Sequence, residues 1–97
     1  MPIKSPNKKP DFGEAVRAVV RQIAPGTTLS YGAVAKKAGY PRAARAVARV
    51  MSQNYDPTVP CHRVILRNGA VGDYNRGGSK TKLALLLSEG WTQQKRH

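Results

Sequence analysis

The sequence predicts a mainly α fold, a winged helix-turn-helix-like domain completed by one small β-hairpin. Three observations lead there. Apolar residues recur at helical spacing between positions 12 and 23. Two short helical stretches are separated by the breaker Gly39-Tyr40-Pro41, as in a pair of helices joined by a tight glycine-containing turn. Asn68-Gly69 then sits between apolar runs, a strong type I′ hairpin signal.

Residues 1–10 are expected to form a flexible basic arm, because Lys4, Lys8 and Lys9 lie among prolines and only Ile3 offers an anchor. The domain proper is read as 11–92, followed by a basic tail over 93–97. Asp11 is a candidate N-cap for the first helix, on which Phe12, Ala15, Val16, Val19, Val20 and Ile23 share one face. Pro25-Gly26 ends it. Ser30 is the candidate cap of a second helix from about Tyr31 to Ala38.

The third helix is read from about Pro41, a residue tolerated in a first turn, to Ser52. Its apolar stripe is Ala43, Val47, Val50 and Met51. Arg42, Arg45 and Arg49 share the opposite side, and no acidic residue between Gly39 and Tyr55 neutralises them. Ala44, Ala46 and Ala48 flank the arginines and would let a partner approach the backbone. His62–Leu66 and Ala70–Val71 are the expected hairpin strands, with a glycine-rich loop from Gly72 to Ser79 after them. A last helix from about Ser79 to Ser88 is expected to bury Leu83, Leu86 and Leu87, to stop at Gly90 and to cover Trp91.

Seventeen Lys and Arg against five Asp and Glu give a net charge of +12. Such a field concentrates polyanions, which favours nucleic acid as partner, with an acidic membrane surface or acidic protein next. Hydrophobic content of 40% permits one modest core. No apolar run approaches the ~20 residues that span a bilayer, and the first ten residues have no secretory apolar stretch. One cysteine forms no internal disulfide, which fits a reducing intracellular compartment. With only His62 and His97 beside it, a structural zinc site is not expected.

That cysteine, Cys61, stands in Pro60-Cys61-His62-Arg63-Val64. A thiol attacks as thiolate, and neighbouring cations and imidazoles favour that form. A lone intracellular cysteine is also commonly a buried packing residue. The residues alone leave both roles open.

This run, followed by Gly69-Ala70-Val71-Gly72-x-Tyr74 and Leu86-Leu87-Ser88-Glu89-Gly90, closely resembles the signature of the O6-alkylguanine-DNA alkyltransferases, the methylated-DNA–protein-cysteine methyltransferases. The resemblance includes Ser30-Tyr31-Gly32, Arg42-Ala43-Ala44-Arg45-Ala46-Val47 and Asn54, and extends from about Phe12 to Trp91. It implies a DNA-binding and active-site domain that flips O6-alkylguanine from duplex DNA and moves the alkyl group irreversibly to Cys61. His62 would relay the cysteine proton through a water, oriented by Glu89. Asn54 would tie the turn after the recognition helix to the cysteine loop. Tyr31 would crowd the target phosphate and protonate the departing guanine, and Arg45 would fill the stack the base has left. Arg42, Ala43, Ala44, Ser30 and Arg49 would face DNA in the minor groove, where small residues suit the narrow space. Val64, Tyr74 and Asn75 would line the base pocket.

The resemblance implies no cofactor or metal, no membrane partner, and a monomer placed with DNA inside the cell, in cytoplasm, nucleoid or nucleus. Other repair proteins are further expected partners. The family's usual amino-terminal α/β domain has no counterpart here. In size the chain resembles the alkyltransferase-like proteins, which bind O6-alkylguanine without removing the group. Those generally replace the acceptor cysteine, which is present here. The alternative expectation is therefore a non-catalytic damage sensor. Arg49 stands where relatives often have a small residue, Asn75 where many have a small hydroxyl residue, and the loop from Tyr74 to Glu89 is one residue longer than usual.

Overall fold

In the computed structural model, which describes residues 11–92, the chain opens with α1 (Phe12–Arg21). The expected basic arm and basic tail lie outside the described residues. Asp11 caps α1 by accepting the Glu14 N–H at 2.8 Å, which satisfies one of the orphan donors of the first turn. Val16 and Val20 are fully buried, and Ile23 extends the same face beyond the helix. Gly26, at φ 83°, turns the chain so closely past the end of the last helix that a Cβ would lie 2.8 Å from the Glu89 carbonyl oxygen.

β1 (Leu29–Ser30) leads directly into α2 (Tyr31–Lys37), with Ser30 Oγ accepting the Ala33 N–H at 3.0 Å. The third helix, α3, spans Ala44–Ser52 rather than starting at Pro41. Tyr40 to Ala43 form a turn closed by Ala43 N–H on the Tyr40 carbonyl at 3.0 Å. Pro41 takes the second position of that turn, which its fixed φ suits. Arg42 consequently sits in the turn, not on the helix. α3 packs on α2 and α1 through Val47 and Met51, the helix-turn-helix the sequence predicts.

A single 3₁₀ turn, Cys61–Arg63, runs straight into β2 (Val64–Ile65). β2 pairs in parallel with β1, Leu29 opposite Val64 and Ser30 opposite Ile65. The expected hairpin shrinks to a turn. Gly69 N–H bonds the Leu66 carbonyl at 3.0 Å and Leu66 N–H the Ala70 carbonyl at 2.9 Å. Only Gly69 of the Asn-Gly pair has positive φ, so this is a three-residue loop ending in a glycine bulge instead of a type I′ turn. The returning Ala70 N–H is taken by the Asn68 side chain at 3.0 Å, which removes the next rung of the ladder.

The last helix, α4 (Gly78–Ser88), buries Lys82 and Leu86 and half-buries Leu83. Leu87, expected in the core, is 52% exposed. One residue advances a helix by about 100°, so with 82 and 86 facing inward 87 turns out. Trp91 packs with Leu86 and Ile65 in a small satellite core beside the main one, which contains Cys61 and Val64.

Candidate active site

α3, the Cys61 turn and the glycine-rich loop enclose a cleft of about 670 Å³, with Tyr31, Arg45, Arg49, Cys61, Tyr74 and Asn75 on its walls. Arg45 and Arg49 are exposed on the outward side of α3, and Ala44 and Ala48 between them form part of the wall. Cys61 is 4% exposed, its N–H held by the Val59 carbonyl at 2.8 Å. The fold thus brings the cysteine to the floor of a cleft whose rim is basic.

Behind Cys61 stands an ionic cluster. Glu89, the C-cap of α4, receives His62 Nε2 at 2.9 Å and the fork of Arg63, Nε at 3.0 Å and Nη2 at 2.6 Å. Arg63 Nη1 also donates to the Ile23 carbonyl at 2.9 Å, which ties the end of α1 to the end of α4. The Arg63 hydrogen bonds, and then His62, hold the Glu89 carboxyl down at about 2 against partial burial. An ionised carboxylate only accepts, so His62 Nε2 donates to it, and in the neutral imidazole Nδ1 is then the acceptor.

Lys82 is the functional residue that helical patterning missed. It is 1% exposed, and its Nζ donates to the Tyr31 hydroxyl at 3.3 Å and the Asp73 carbonyl at 3.2 Å. Burial pulls its ammonium down to about 8, opposed by the charges of Cys61 and Asp73. Tyr31 is pushed up by burial and by the same two groups. Cys61, Tyr31 and Lys82 therefore form one electrostatic unit, although they lie on three different elements. A lysine inside an apolar helical stripe was the available signal.

The other expected site residues divide. Tyr74 lines the cleft with its ring 6.4 Å from that of His62. Asn75 also lines it, but its amide nitrogen is spent on the carbonyls closing α3, at 2.8 Å to Ser52, 2.8 Å to Asn54 and 3.3 Å to Met51. Asn75 Oδ1 is buried with no hydrogen-bond partner among the described residues. Asn54 is 6% exposed, and its side chain reaches only the Asp56 carbonyl at 3.5 Å; the tie between the α3 terminus and the site comes from Asn75 instead. Val64 is wholly buried in the main core and is not part of the cleft wall, because β2 turns it toward α1 and α2. Ser30 Oγ is occupied as the α2 cap, Ala43 half-buries against the core, and Arg42 projects from the turn before α3. Among the described residues no three His, Cys, Asp or Glu converge as a metal cluster, and no helix is long and apolar enough to cross a membrane.

Fold and site together define a helix-turn-helix domain with a cysteine-floored cleft under its arginine-bearing helix. The chain belongs to the family described as 6-O-methylguanine DNA methyltransferase, DNA binding domain, whose model matches residues 11–91. A methylated-DNA--protein-cysteine methyltransferase of Cricetulus griseus is 48% identical over 66 residues, 67% of this chain and 32% of that protein. Mycobacterium tuberculosis OGT, solved in complex with DNA, superposes with a TM-score of 0.78 at 40% identity, over 86% of this chain and 51% of that one. S. pombe Atl1, solved with damaged DNA containing O6-carboxymethylguanine, superposes with a TM-score of 0.74 at 29% identity, over 86% of this chain and 79% of that one. The chain thus spans about a third of the curated relative and about half of the mycobacterial protein.

Proposed function

We propose that this chain binds duplex DNA containing O6-alkylguanine and takes the alkyl group onto Cys61, once per molecule. The observation that carries this reading is the buried Cys61, backed by the His62–Glu89 pair and set in a cleft rimmed by Arg45 and Arg49. A weak nucleophile next to a base that a third group orients is the arrangement covalent catalysis needs. The names of the relatives and the DNA in two of the structural neighbours support the substrate.

In the proposed reaction Glu89 fixes His62 so that Nδ1 receives the Cys61 proton through a water. The Sγ–carbon bond forms as the carbon–O6 bond breaks, and its electron pair passes to the guanine. Tyr31 then supplies the proton that the departing base takes up. Lys82 stabilises negative charge on the sulfur and on the phenolic oxygen at little reorganisation cost, because both lie within its field already. Tyr74 stacks against the base, and Asn75 Oδ1 accepts from its exocyclic amine. Arg45 fills the vacated stack, while Arg42, Arg49 and Ser30 sit at the phosphates, with Ala43 and Ala44 at the minor groove. Thiol, base and proton donor all come from the chain. The proposed setting is intracellular and DNA-associated, as a monomer.

The second reading is a sensor that binds the lesion and leaves it intact; the likeness to Atl1, of which the chain covers 79%, favours it. Intact-protein mass spectrometry after incubation with O6-methylguanine duplex separates the two. Transfer adds one methyl group to the wild type and none to Cys61→Ser. Selective binding without mass gain supports the sensor, and clearance of the lesion by Cys61→Ser overturns the mechanism.

A further inference from the structure

Glu89 serves two adjacent residues of the cysteine turn at once. Its Oε2 is shared by His62 Nε2 at 2.9 Å and Arg63 Nη2 at 2.6 Å, while its Oε1 takes Arg63 Nε at 3.0 Å. The third guanidinium nitrogen, Nη1, is held by the Ile23 carbonyl at 2.9 Å, so every nitrogen of Arg63 is fixed. None of the three side chains is more than 18% exposed, which leaves their charges little screened. Glu89 also caps the C-terminal end of α4, where the helix dipole favours cations over a carboxylate. Its carboxyl is nevertheless held down at about 2, and Arg63 is the largest cause. The arginine, more than the histidine, is the counter-charge of Glu89.

This division acts on His62. A carboxylate beside an imidazole favours the imidazolium, and a guanidinium beside it favours the neutral ring. The imidazolium donates from both nitrogens and accepts no proton from Cys61. The other charged and titratable groups nearby are committed elsewhere. Cys61 precedes His62 in the turn, the Tyr74 ring lies 6.4 Å away, and Arg21 and Arg76 share with His62 the walls of a cavity of about 420 Å³. Arg21 is engaged by Asp56 at 3.3 Å, Arg76 by Tyr55 and Tyr74, and Lys82 of α4 by Tyr31 and the Asp73 carbonyl.

We propose that Arg63 is a positioning residue that keeps His62 available to take the Cys61 proton at neutral pH, by holding the Glu89 charge on itself. Glu89 then orients the imidazole without charging it. The role rests on the alkyl-transfer reading and adds to it a residue that touches neither the base nor the sulfur.

The test follows the His62 ring by two-dimensional NMR, with His97 assigned separately, in the full chain, Arg63→Gln and Arg63→Lys. Single-turnover transfer from an O6-methylguanine duplex is measured over the same pH range. In Arg63→Gln the His62 titration and the acid limb of transfer are both expected to move up by about one pH unit, with the rate above that limb kept within about twofold. The alkaline limb that Lys82 sets near 8 stays in place. Arg63→Lys, which keeps a charge without the fork, is expected to move both by less. If Arg63→Gln does not fold, Arg63→Lys alone decides, and an unmoved His62 titration there overturns the proposal. An unmoved titration in Arg63→Gln, with transfer lowered by one factor at every pH, also overturns it and leaves Arg63 a tie between α1 and α4. So does a titration that moves while the acid limb stays. Absence of transfer from the wild type overturns the alkyl-transfer reading, whereas a His62 titration that still moves leaves the electrostatic assignment of Arg63 standing.

Discussion

Replacing Lys82 by Met is expected to make the protein more stable and slower at once. Met keeps the length and removes the charge. Lys82 is 1% exposed, and burial brings its ammonium from 10.5 down to about 8. At about 1.4 kcal/mol per pH unit, keeping it charged at pH 7 costs the folded state on the order of 3 kcal/mol. Between pH 8 and 10.5 the unfolded chain holds a proton that the folded chain has released, so wild-type stability rises with pH through that window. Lys82→Met has no such rise. It forfeits two hydrogen bonds, worth about 1 kcal/mol each, and should therefore be about 1 kcal/mol more stable at pH 7, an advantage that vanishes toward pH 10. Urea unfolding from pH 7 to 10, followed by fluorescence of the single Trp91, measures this directly. Transfer to Cys61 should slow at least about tenfold, because the cation next to the developing charge is gone. A variant less stable than wild type at pH 7, with a parallel pH profile, would refute the reasoning.

Two further outcomes are expected. Glu89 contributes stability that is fully present above its ordinary value of 4.5 and is lost as pH falls toward about 2. Glu89→Gln should remove about 2–3 kcal/mol at pH 7 by leaving Arg63 without its anionic partner, and should flatten the acid limb of the denaturation profile; a variant that keeps the wild-type acid limb assigns that limb to another group. Arg45→Ala should depress repair of duplex DNA at least about tenfold more than reaction with free O6-benzylguanine, since only the duplex requires base extrusion, and equal losses on both substrates would count against the finger role.

What the sequence discloses is local, and what it withholds is tertiary. The face of α1 is legible because Val16 and Val20 recur with the helix, and the caps at Asp11 and Ser30 because each side chain serves an amide three residues on. The ladder of Leu29–Ser30 with Val64–Ile65 is hidden, because parallel partners need no adjacency, while the louder Asn68-Gly69 signal makes only a turn. On α4 Leu87, expected inside, is exposed, and Lys82 goes inside, where Tyr31 from a distant part of the chain and Asp73 from the loop before α4 supply its polar partners. The family signature made Cys61, His62 and Glu89 readable. It gave no notice that Arg63 shares Glu89 or that Asn75 fastens the end of α3.

The two-rung ladder also sets a tolerance for change. β1 is continuous with α2, and β2 is continuous with the Cys61 turn, so the pairing fixes Cys61 relative to α2 over very few residues. The loop over 53–60 shares in that registration, since Asn54 and Val59 are buried and the Val59 carbonyl holds the Cys61 N–H. One residue added or removed between Cys61 and Ile65 shifts the pairing and turns each inward side chain to the opposite face. A designer varying the domain therefore has little freedom of length on either side of the cysteine.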